Sequence, residues 1–379
     1  MKHKLAYIVT EQGCLDPTTG AYQHISMGIR ELNRYAEVVT FLSKAKAPSR
    51  AAVSAERGVP KVSGFRSSGI WGALRDMRDF LQNAREGWRV ARQVRAAGCE
   101  AAYVRVQGLQ PISIFLRCYG IKVFLEANGL QFESRKHCFK SWLSSLYRPF
   151  ERYLYLKADH VFFVGSYGTY WKLPSNNWSE VENGIEPEML QSREVPVCAG
   201  NPIKIVLLAR LVAHHKGQVL ADALKHLSRE QLNHLKLHLV GSGFDQLKLD
   251  LDQVVEVVDH GFVGREEIGA LLRQMDIGVI PNGPPYSSQM KLLDYAAAGC
   301  LVVAPDVPHL VNFYQDRGVL FFECGSAGSL SEALLAAVSK ETHVSENAQR
   351  MQSHVADNYT WEAIFKRKFD QIHQCFCNQ

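Results

Sequence analysis

Between Ile203 and Ser339 the 379-residue chain alternates short unbroken apolar runs, rich in β-branched residues, with segments whose apolar residues recur at helical spacing. An apolar run without polar alternation suits a strand covered on both faces, which arises where helices cross over each face of a parallel sheet. Strands are expected at 203–209, 235–240, 254–258, 277–280, 301–304 and 319–322, and helices at 217–227, 266–273, 290–298 and 330–339. The pattern predicts a doubly wound parallel α/β sheet. Residues 1–190 alternate in the same way, less cleanly: strand 5–10, helix 21–33, strand 38–42, a long helix over 71–97, strand 101–106, a helix after Pro111, strand 122–125 and the apolar run His160–Val164. Two domains fit a chain of this length.

Gln191–Asn201 lacks periodicity and carries Pro196 and Gly200. A linker is therefore placed at 191–202, between a first domain of 1–190 and a second of 203–358. The closing segment, 359–379, opens with Thr360 as a cap and sets Trp361, Ile364, Phe365, Phe369 and Ile372 on one helical face, a stripe that has to be buried. No run approaches the roughly 18 to 20 apolar residues of a membrane-spanning helix. The apolar part of the N-terminus, Leu5 to Thr10, is too short for a signal peptide, so a cytoplasmic protein is expected. Nine cysteines form no Cys-x-x-Cys pair, and free thiols are the default.

Charge is uneven: residues 1–198 hold 27 Lys and Arg against 18 Asp and Glu. A basic half fits nucleic acid, an anionic substrate, an anionic surface or simply a solvated face. Residues 136–157 are basic and aromatic at roughly helical spacing, with a proline break at Pro149. They suit a peripheral contact with the inner face of the plasma membrane, and equally a helix packed on its own domain.

The stretch Tyr286–Gly299 concentrates the candidate chemistry. Pro284 and Pro285 bar a helix from running backwards, Ser287 or Ser288 can cap one, and good helix formers follow until Gly299. Its buried stripe is expected at Met290, Leu293 and Ala297, with Asp294 beside it. Open amides at the helix start, the positive end of its dipole and Lys291 can meet a diphosphate, while Asp294 can grip two sugar hydroxyls. A core helix with one solvated aspartate fits the same residues. Arg210 at a strand end and Lys216 before a helix add two cations at the carboxyl edge of the sheet, and Gly241-Ser242-Gly243 is expected to turn into another helix and let backbone approach a phosphate. In the first half, Gly13 and Gly20 are too far apart for a dinucleotide fingerprint, and no acid ends the second strand, which disfavours an NAD oxidoreductase. Glu126 and Asn128, in Glu126-Ala-Asn-Gly129, suit either a cleft or an ordinary turn.

Taken in order, Arg210-Leu-Val-Ala-His-His-Lys-Gly217, Leu239-Val-Gly-Ser-Gly243, Gly261-Phe-Val-Gly264, Asp276-Ile-Gly-Val-Ile-Pro281 and Met290-Lys-Leu-Leu-Asp-Tyr-Ala-Ala-Ala-Gly299 resemble the donor-binding domain of the retaining glycosyltransferases of family four. The resemblance implies the GT-B fold, two Rossmann-like domains facing across a cleft with the last helix crossing back to the first. It implies that Arg210 and Lys216 hold the donor diphosphate and stabilise it as a leaving group, that backbone near Val263 reads the base, and that Asp294 binds the ribose. Ser287, Ser288, Gln289, Met290 and Lys291 would wrap the sugar and phosphates, and Gly20, Gly241, Ser242, Gly243, Pro281 and Leu292 would complete the donor contacts. Two departures stand out: Tyr286 occupies the place of a glutamate that many members carry, and Asn128 lies near that of a catalytic-loop histidine.

The expected function is transfer of a sugar from a nucleotide-sugar donor to an acceptor hydroxyl with retention, in cell-surface polysaccharide, glycolipid or natural-product assembly. The acceptor would be a sugar, lipid-linked or natural-product molecule, with no nucleic acid, metal or cofactor involved. If the departing phosphate oxygen takes the acceptor's proton on the face it leaves, no enzyme nucleophile is needed, and positioning and charge neutralisation carry the reaction. Double displacement with Glu126 as nucleophile is the competing route. A sugar-nucleotide epimerase of the same fold, or a noncatalytic binder of nucleotide sugar or nucleic acid, is the alternative.

Overall fold

A computed structural model describes residues 3–10, 20–43, 70–106, 111–130, 132, 144–174, 177–191, 198, 202–211, 216–338 and 342–377. The chain divides into two units, Met1–Glu182 together with Ile364–Gln379, and Asn183–Ala363. The expected linker at 191–202 lies largely outside the described residues. Residues 183–190 belong to the second unit, where Ile185 donates its N–H to the Tyr359 carbonyl at 2.8 Å.

The first unit runs β1 (Lys4–Val9), α1 (Gly20–Leu32), β2 (Glu37–Leu42), α2 (Ile70–Ala96), β3 (Ala101–Val106), α3 (Ile112–Cys118), β4 (Lys122–Ala127), α4 (Ser144–Lys157), β5 (His160–Val164), α5 (Tyr167–Trp171) and β6 (Trp178–Val181). Its six strands are parallel, in the order β2-β1-β3-β4-β5-β6. The apolar run of β5 is buried at every residue, as expected of a strand covered on both faces, and β3 is buried throughout with the charged Arg105 inside it. Pro149 does not break its helix; it lies inside α4, where its missing N–H forfeits one bond to the first turn.

The second unit runs β7 (Ile203–Arg210), α6 (Gly217–Lys225), α7 (Arg229–Leu232), β8 (Leu235–Ser242), α8 (Asp245–Asp250), β9 (Glu256–Asp259), α9 (Arg265–Leu272), β10 (Ile277–Val279), α10 (Met290–Ala297), β11 (Leu301–Pro305), α11 (Pro308–Tyr314), β12 (Leu320–Phe322), α12 (Ala327–Val338) and α13 (Thr342–Asn358). Its parallel sheet has the order β12-β11-β10-β7-β8-β9. Ile205, Leu207, Leu237 and Leu239 of the strands pack with Leu220, Leu224, Leu330 and Leu334 of the helices in one core. Four elements here and in the first unit exceed the sequence expectation: β6, α7, α11 and α13.

The last helix, α14 (Trp361–Cys377), starts on the cap bond from the Ala363 N–H to the Thr360 hydroxyl at 3.2 Å. From Ile364 onward it belongs to the first unit. Gly28 of α1 makes room for it, since a Cβ there would stand 2.6 Å from the Phe365 ring. Phe365 also meets the His24 ring edge-on at 5.8 Å.

Two expectations about α10 need correction. Its N-cap is Gln289, with no side-chain cap bond, because the neighbouring serines are engaged elsewhere: the Ser288 hydroxyl accepts from Asn183 Nδ2 at 2.7 Å and the Ser287 hydroxyl donates to the Ser288 carbonyl at 3.3 Å. Nor does it bury a narrow stripe. Every residue from Leu292 to Ala297 is buried, Asp294 included. Tyr295 anchors it: its ring fills the space a Gly278 side chain would need, and its hydroxyl accepts the Leu208 N–H at 2.7 Å.

Candidate functional site

In open parallel sheets, ligands bind beyond the carboxyl ends of strands where the winding direction reverses. In the second unit that point lies between β7 and β10, because β7-β8-β9 and β10-β11-β12 run outwards in opposite directions. Arg210 ends β7 beside Ser242, its register partner at the end of β8. Gly241 (φ 127°) and Gly243 (φ 83°) occupy backbone conformations that L side chains resist, and a Cβ at either would strike the carbonyl oxygen of Ala209 or Leu211. The two strand ends are thereby pressed together with little bulk above them. The helix expected to open directly from this turn begins only at Asp245, because β8 continues through Ser242. Lys216 sits in the left-handed region (φ 46°) at the start of α6.

Beyond β10 the chain passes through buried Pro281 to α10. Lys291, in the first turn, is half-buried, and burial lowers its ammonium pKa from the usual range to about 8. Among the described residues no carboxylate pairs with it. Asp294, a turn further on, is held differently from the sequence expectation. Arg265 Nη1 donates to Asp294 Oδ1 at 2.7 Å, and Arg265 Nη2 donates to Glu186 Oε2 at 2.5 Å. Burial raises the Asp294 pKa and Arg265 opposes that rise. Burial would lower the Arg265 pKa, but the two carboxylates more than offset it and keep the guanidinium charged. Asp294 is thus a buried, oriented carboxylate rather than a solvated one.

Val263 lies half-buried in the loop after β9, next to Phe262, whose ring is 72% exposed. Leu292, expected to touch the donor, is fully buried in the core and offers a ligand nothing. Gly20 is the first residue of α1, in the other unit. The chain holds one Asp-x-Asp, Asp250-Leu251-Asp252, at the far end of α8, and among the described residues no cluster of three His, Cys, Asp or Glu could hold a metal.

Glu126 has an occupation different from that of a nucleophile. It is wholly buried in β4 and accepts from Arg105 Nη1 at 2.7 Å, Lys368 Nζ at 2.6 Å, His24 Nε2 at 2.9 Å and the Tyr103 hydroxyl. Asn128 Nδ2 adds a longer bond of 3.3 Å. Burial pulls the carboxyl pKa up, but His24, Lys368 and Arg105 together hold it well below the usual carboxylate range. Burial, aided by Arg105 and Lys368, lowers His24 to about 4 against the pull of Glu126, so its ring is neutral near pH 7. With both oxygens engaged and no exposed surface, Glu126 binds α14 to the first sheet. Sequence reading missed Arg265, Glu186, His24, Arg105 and Lys368.

Of 136–157, residues 136–143 lie outside the described residues; the rest form α4, with Leu146, Arg148, Arg152, Tyr153 and Lys157 exposed. Among the described residues no helix is long and apolar enough to cross a membrane.

Residues 202–340 match the family model described as glycosyl transferases group 1. The second unit is a glycosyltransferase domain of this group. No curated protein sequence matches the chain. Solved structures similar to this glycosyltransferase include sucrose-phosphate synthase from Thermosynechococcus elongatus (14% identity, all of both chains, TM-score 0.72) and a glycosyltransferase from Rickettsia africae (12%, all of both chains, 0.68). Another is HepE of Anabaena in complex with UDP and glucose (14%, 98% of this chain and 100% of that one, 0.68). At such identities the likeness shows the fold, which is GT-B: two Rossmann-like units, the last helix returning to the first.

Proposed function

We propose that the glycosyltransferase moves a sugar from a nucleotide-sugar donor to an acceptor hydroxyl with retention, as a member of the retaining family four, and that the donor diphosphate lies at the β7/β10 edge of the second sheet. The observation that carries this reading is Lys291, a half-buried cation without a counter-charge in the first turn of a helix whose N-cap side chain makes no bond to its amides. Such an arrangement is incomplete without an anion. Arg210 and Lys216 stand at the same edge and would neutralise the charge that grows on the phosphate as it departs. Gly241, Ser242 and Gly243 would let backbone approach it, and Ser287, Ser288, Gln289 and Met290 would face the sugar. Asp294, aimed by Arg265, would take the ribose hydroxyls, and Val263 backbone with the exposed Phe262 ring would receive the base. The UDP and glucose named for HepE favour a uridine donor.

With Glu126 buried, the same-face route suits this chain: the acceptor oxygen bonds to the anomeric carbon as the phosphate oxygen leaves, and that oxygen takes the acceptor's proton. The product would enter cell-surface polysaccharide, glycolipid or natural-product assembly, from a cytoplasmic enzyme. The test is a panel of nucleoside diphosphates and nucleotide sugars scored by melting temperature and by slow donor hydrolysis. A ligand at about 100 times its Kd should stabilise the protein by about 2.7 kcal/mol. Stabilisation by no member of the panel would refute the reading.

A further inference from the structure

Helix α2 is amphipathic the wrong way round for a helix that ends at water. Its inward face is built of small residues and valines: Ala73, Gly87, Val90, Ala91 and Val94 are buried, and Gly87 is close enough to α3 that a Cβ would stand 3.2 Å from Ile112. Its bulky residues point out. Trp71, Leu74, Met77, Leu81 and Trp88 are between 46% and 77% exposed. Of the nine large apolar side chains exposed among the described residues, these five lie on α2 and two more, Leu146 and Tyr153, on α4. At about 100° per residue, Leu74, Met77, Leu81 and Trp88 fall within about 60° of one another, with Trp71 beside them. Helix α4 is tied to α2 by the edge-on contact of Phe80 with Phe150 at 5.6 Å.

The charge on this face has one sign. Arg78, Arg85, Arg92 and Arg95 share it, and no acid is exposed among the described side chains of α2. Arg78 pairs with Asp79 at 3.1 Å, but Arg92 lies over the Trp88 ring at 4.8 Å, Arg95 donates only to a carbonyl, and Arg85 has no acidic partner among the described residues. The exposed residues of α4 add Arg148, Arg152 and Lys157, again without an acid.

We infer that the exposed face of α2, with α4 beside it, is a docking surface for an anionic lipid bilayer. Bulky apolar side chains, tryptophans and arginines on one helix face suit a helix lying in the headgroup region, the apolar residues entering the acyl boundary and the arginines meeting lipid phosphates. A second copy of the chain is a poorer occupant, because a two-fold pairing brings the same patch onto itself and sets arginine against arginine. The inference does not depend on the donor site, which belongs to the other unit.

Vesicle flotation of the full chain tests it, with phosphatidylcholine alone and with phosphatidylcholine containing phosphatidylglycerol. The wild type should float with the anionic vesicles only and be released as salt rises from 0.1 to 1 M, where the screening length falls from about 10 to about 3 Å. Each arginine near an anionic surface is worth about fivefold in partitioning, so Arg85→Gln/Arg92→Gln/Arg95→Gln should partition roughly a hundredfold less. Leu74→Ser/Leu81→Ser should also lose binding, with an unchanged melting temperature and unchanged donor hydrolysis in both variants. Three results would overturn the inference: no flotation of the wild type with anionic vesicles, flotation undiminished in both variants, or a concentration-dependent dimer that Leu74→Ser/Leu81→Ser abolishes while the wild type ignores vesicles.

Discussion

Replacing Lys368 by methionine separates the two readings of Glu126. Lys368 is fully buried, donates to Glu126 at 2.6 Å and to the Tyr103 hydroxyl at 3.1 Å, and lies over the Phe365 ring at 4.4 Å. A hydrogen bond to a charged group is worth about 1.5 to 3 kcal/mol, and a desolvated cation over an aromatic ring about 2. Against these stands the cost of burying the ammonium, which methionine escapes. Arg105 remains at 2.7 Å to keep Glu126 ionised, so the net loss should be about 2 to 3 kcal/mol. Glu126→Gln should cost about 3 to 5 kcal/mol, because it leaves Arg105 and Lys368 buried without a counter-charge. The double variant should cost less than the sum by about 1 to 2 kcal/mol, the signature of a direct pair. Because the two units need not unfold together, urea melts should be read alongside hydrogen exchange of peptides from β1, β3, β4 and α14. If Glu126 were a nucleophile, Glu126→Gln would keep its stability and lose turnover by about a thousandfold or more. Lys368→Met within about 0.5 kcal/mol of wild type would refute the reasoning.

Arg210→Ala and Lys216→Ala should each lower turnover about a hundredfold or more with the fold intact, and near-normal turnover in both would remove the diphosphate from that edge. Arg265→Met removes what opposes the burial of Asp294, shifting it towards its neutral form; nucleotide-sugar affinity should fall about tenfold and recover as pH rises, a recovery absent from the wild type. A variant whose affinity and pH dependence match the wild type would return Arg265 to a structural role. His24, at about 4 in the folded protein against about 6.5 when exposed, binds its proton only in the unfolded chain between those values. Its contribution is therefore complete above about pH 6.5 and shrinks by about 3 kcal/mol as pH falls to 4. His24→Gln should flatten that slope in urea melts at stepped pH, and parallel slopes would contradict it.

The alternation that announced both sheets was legible because burial on two faces favours apolar residues along a whole strand: β10 and β11 are buried at every position and hold no charged residue, and the sequence shows it directly. The missed helix α13 was also readable in principle, since Val344, Ala348, Met351 and Val355 recur at steps of three and four and are all buried. Its otherwise polar composition hid that stripe. What period and propensity cannot carry is pairing at a distance. Ser288 failed as a cap because Asn183, 105 residues earlier, claims its hydroxyl. Asp294 failed as a solvated carboxylate because Arg265 reaches it from another helix, and Glu126 failed as a cleft residue because Lys368, 242 residues later, closes over it.

These long-range pairs also bear on which sheet edge invites an anion. Near the carboxyl end of the first sheet, between β3 and β4, the buried cations Arg105 and Lys368 already share Glu126, with a neutral His24 and Tyr103 completing its shell. An incoming phosphate would find the charge largely answered and no exposed surface through which to reach it. In the second unit, Arg265 is likewise answered, by Glu186 and Asp294. Lys291 is not: burial depresses its pKa, and among the described residues no carboxylate offsets the cost. A cation left in that state lowers the stability of the empty protein, and a bound diphosphate would relieve the cost. Lys291 should therefore titrate near 8 without nucleotide and move up when one binds, so that binding at pH 8 to 9 takes up a proton. Isothermal titration in buffers of different ionisation enthalpy measures that uptake directly, and a proton count of zero there, or one unchanged in Lys291→Met, would take the diphosphate away from α10.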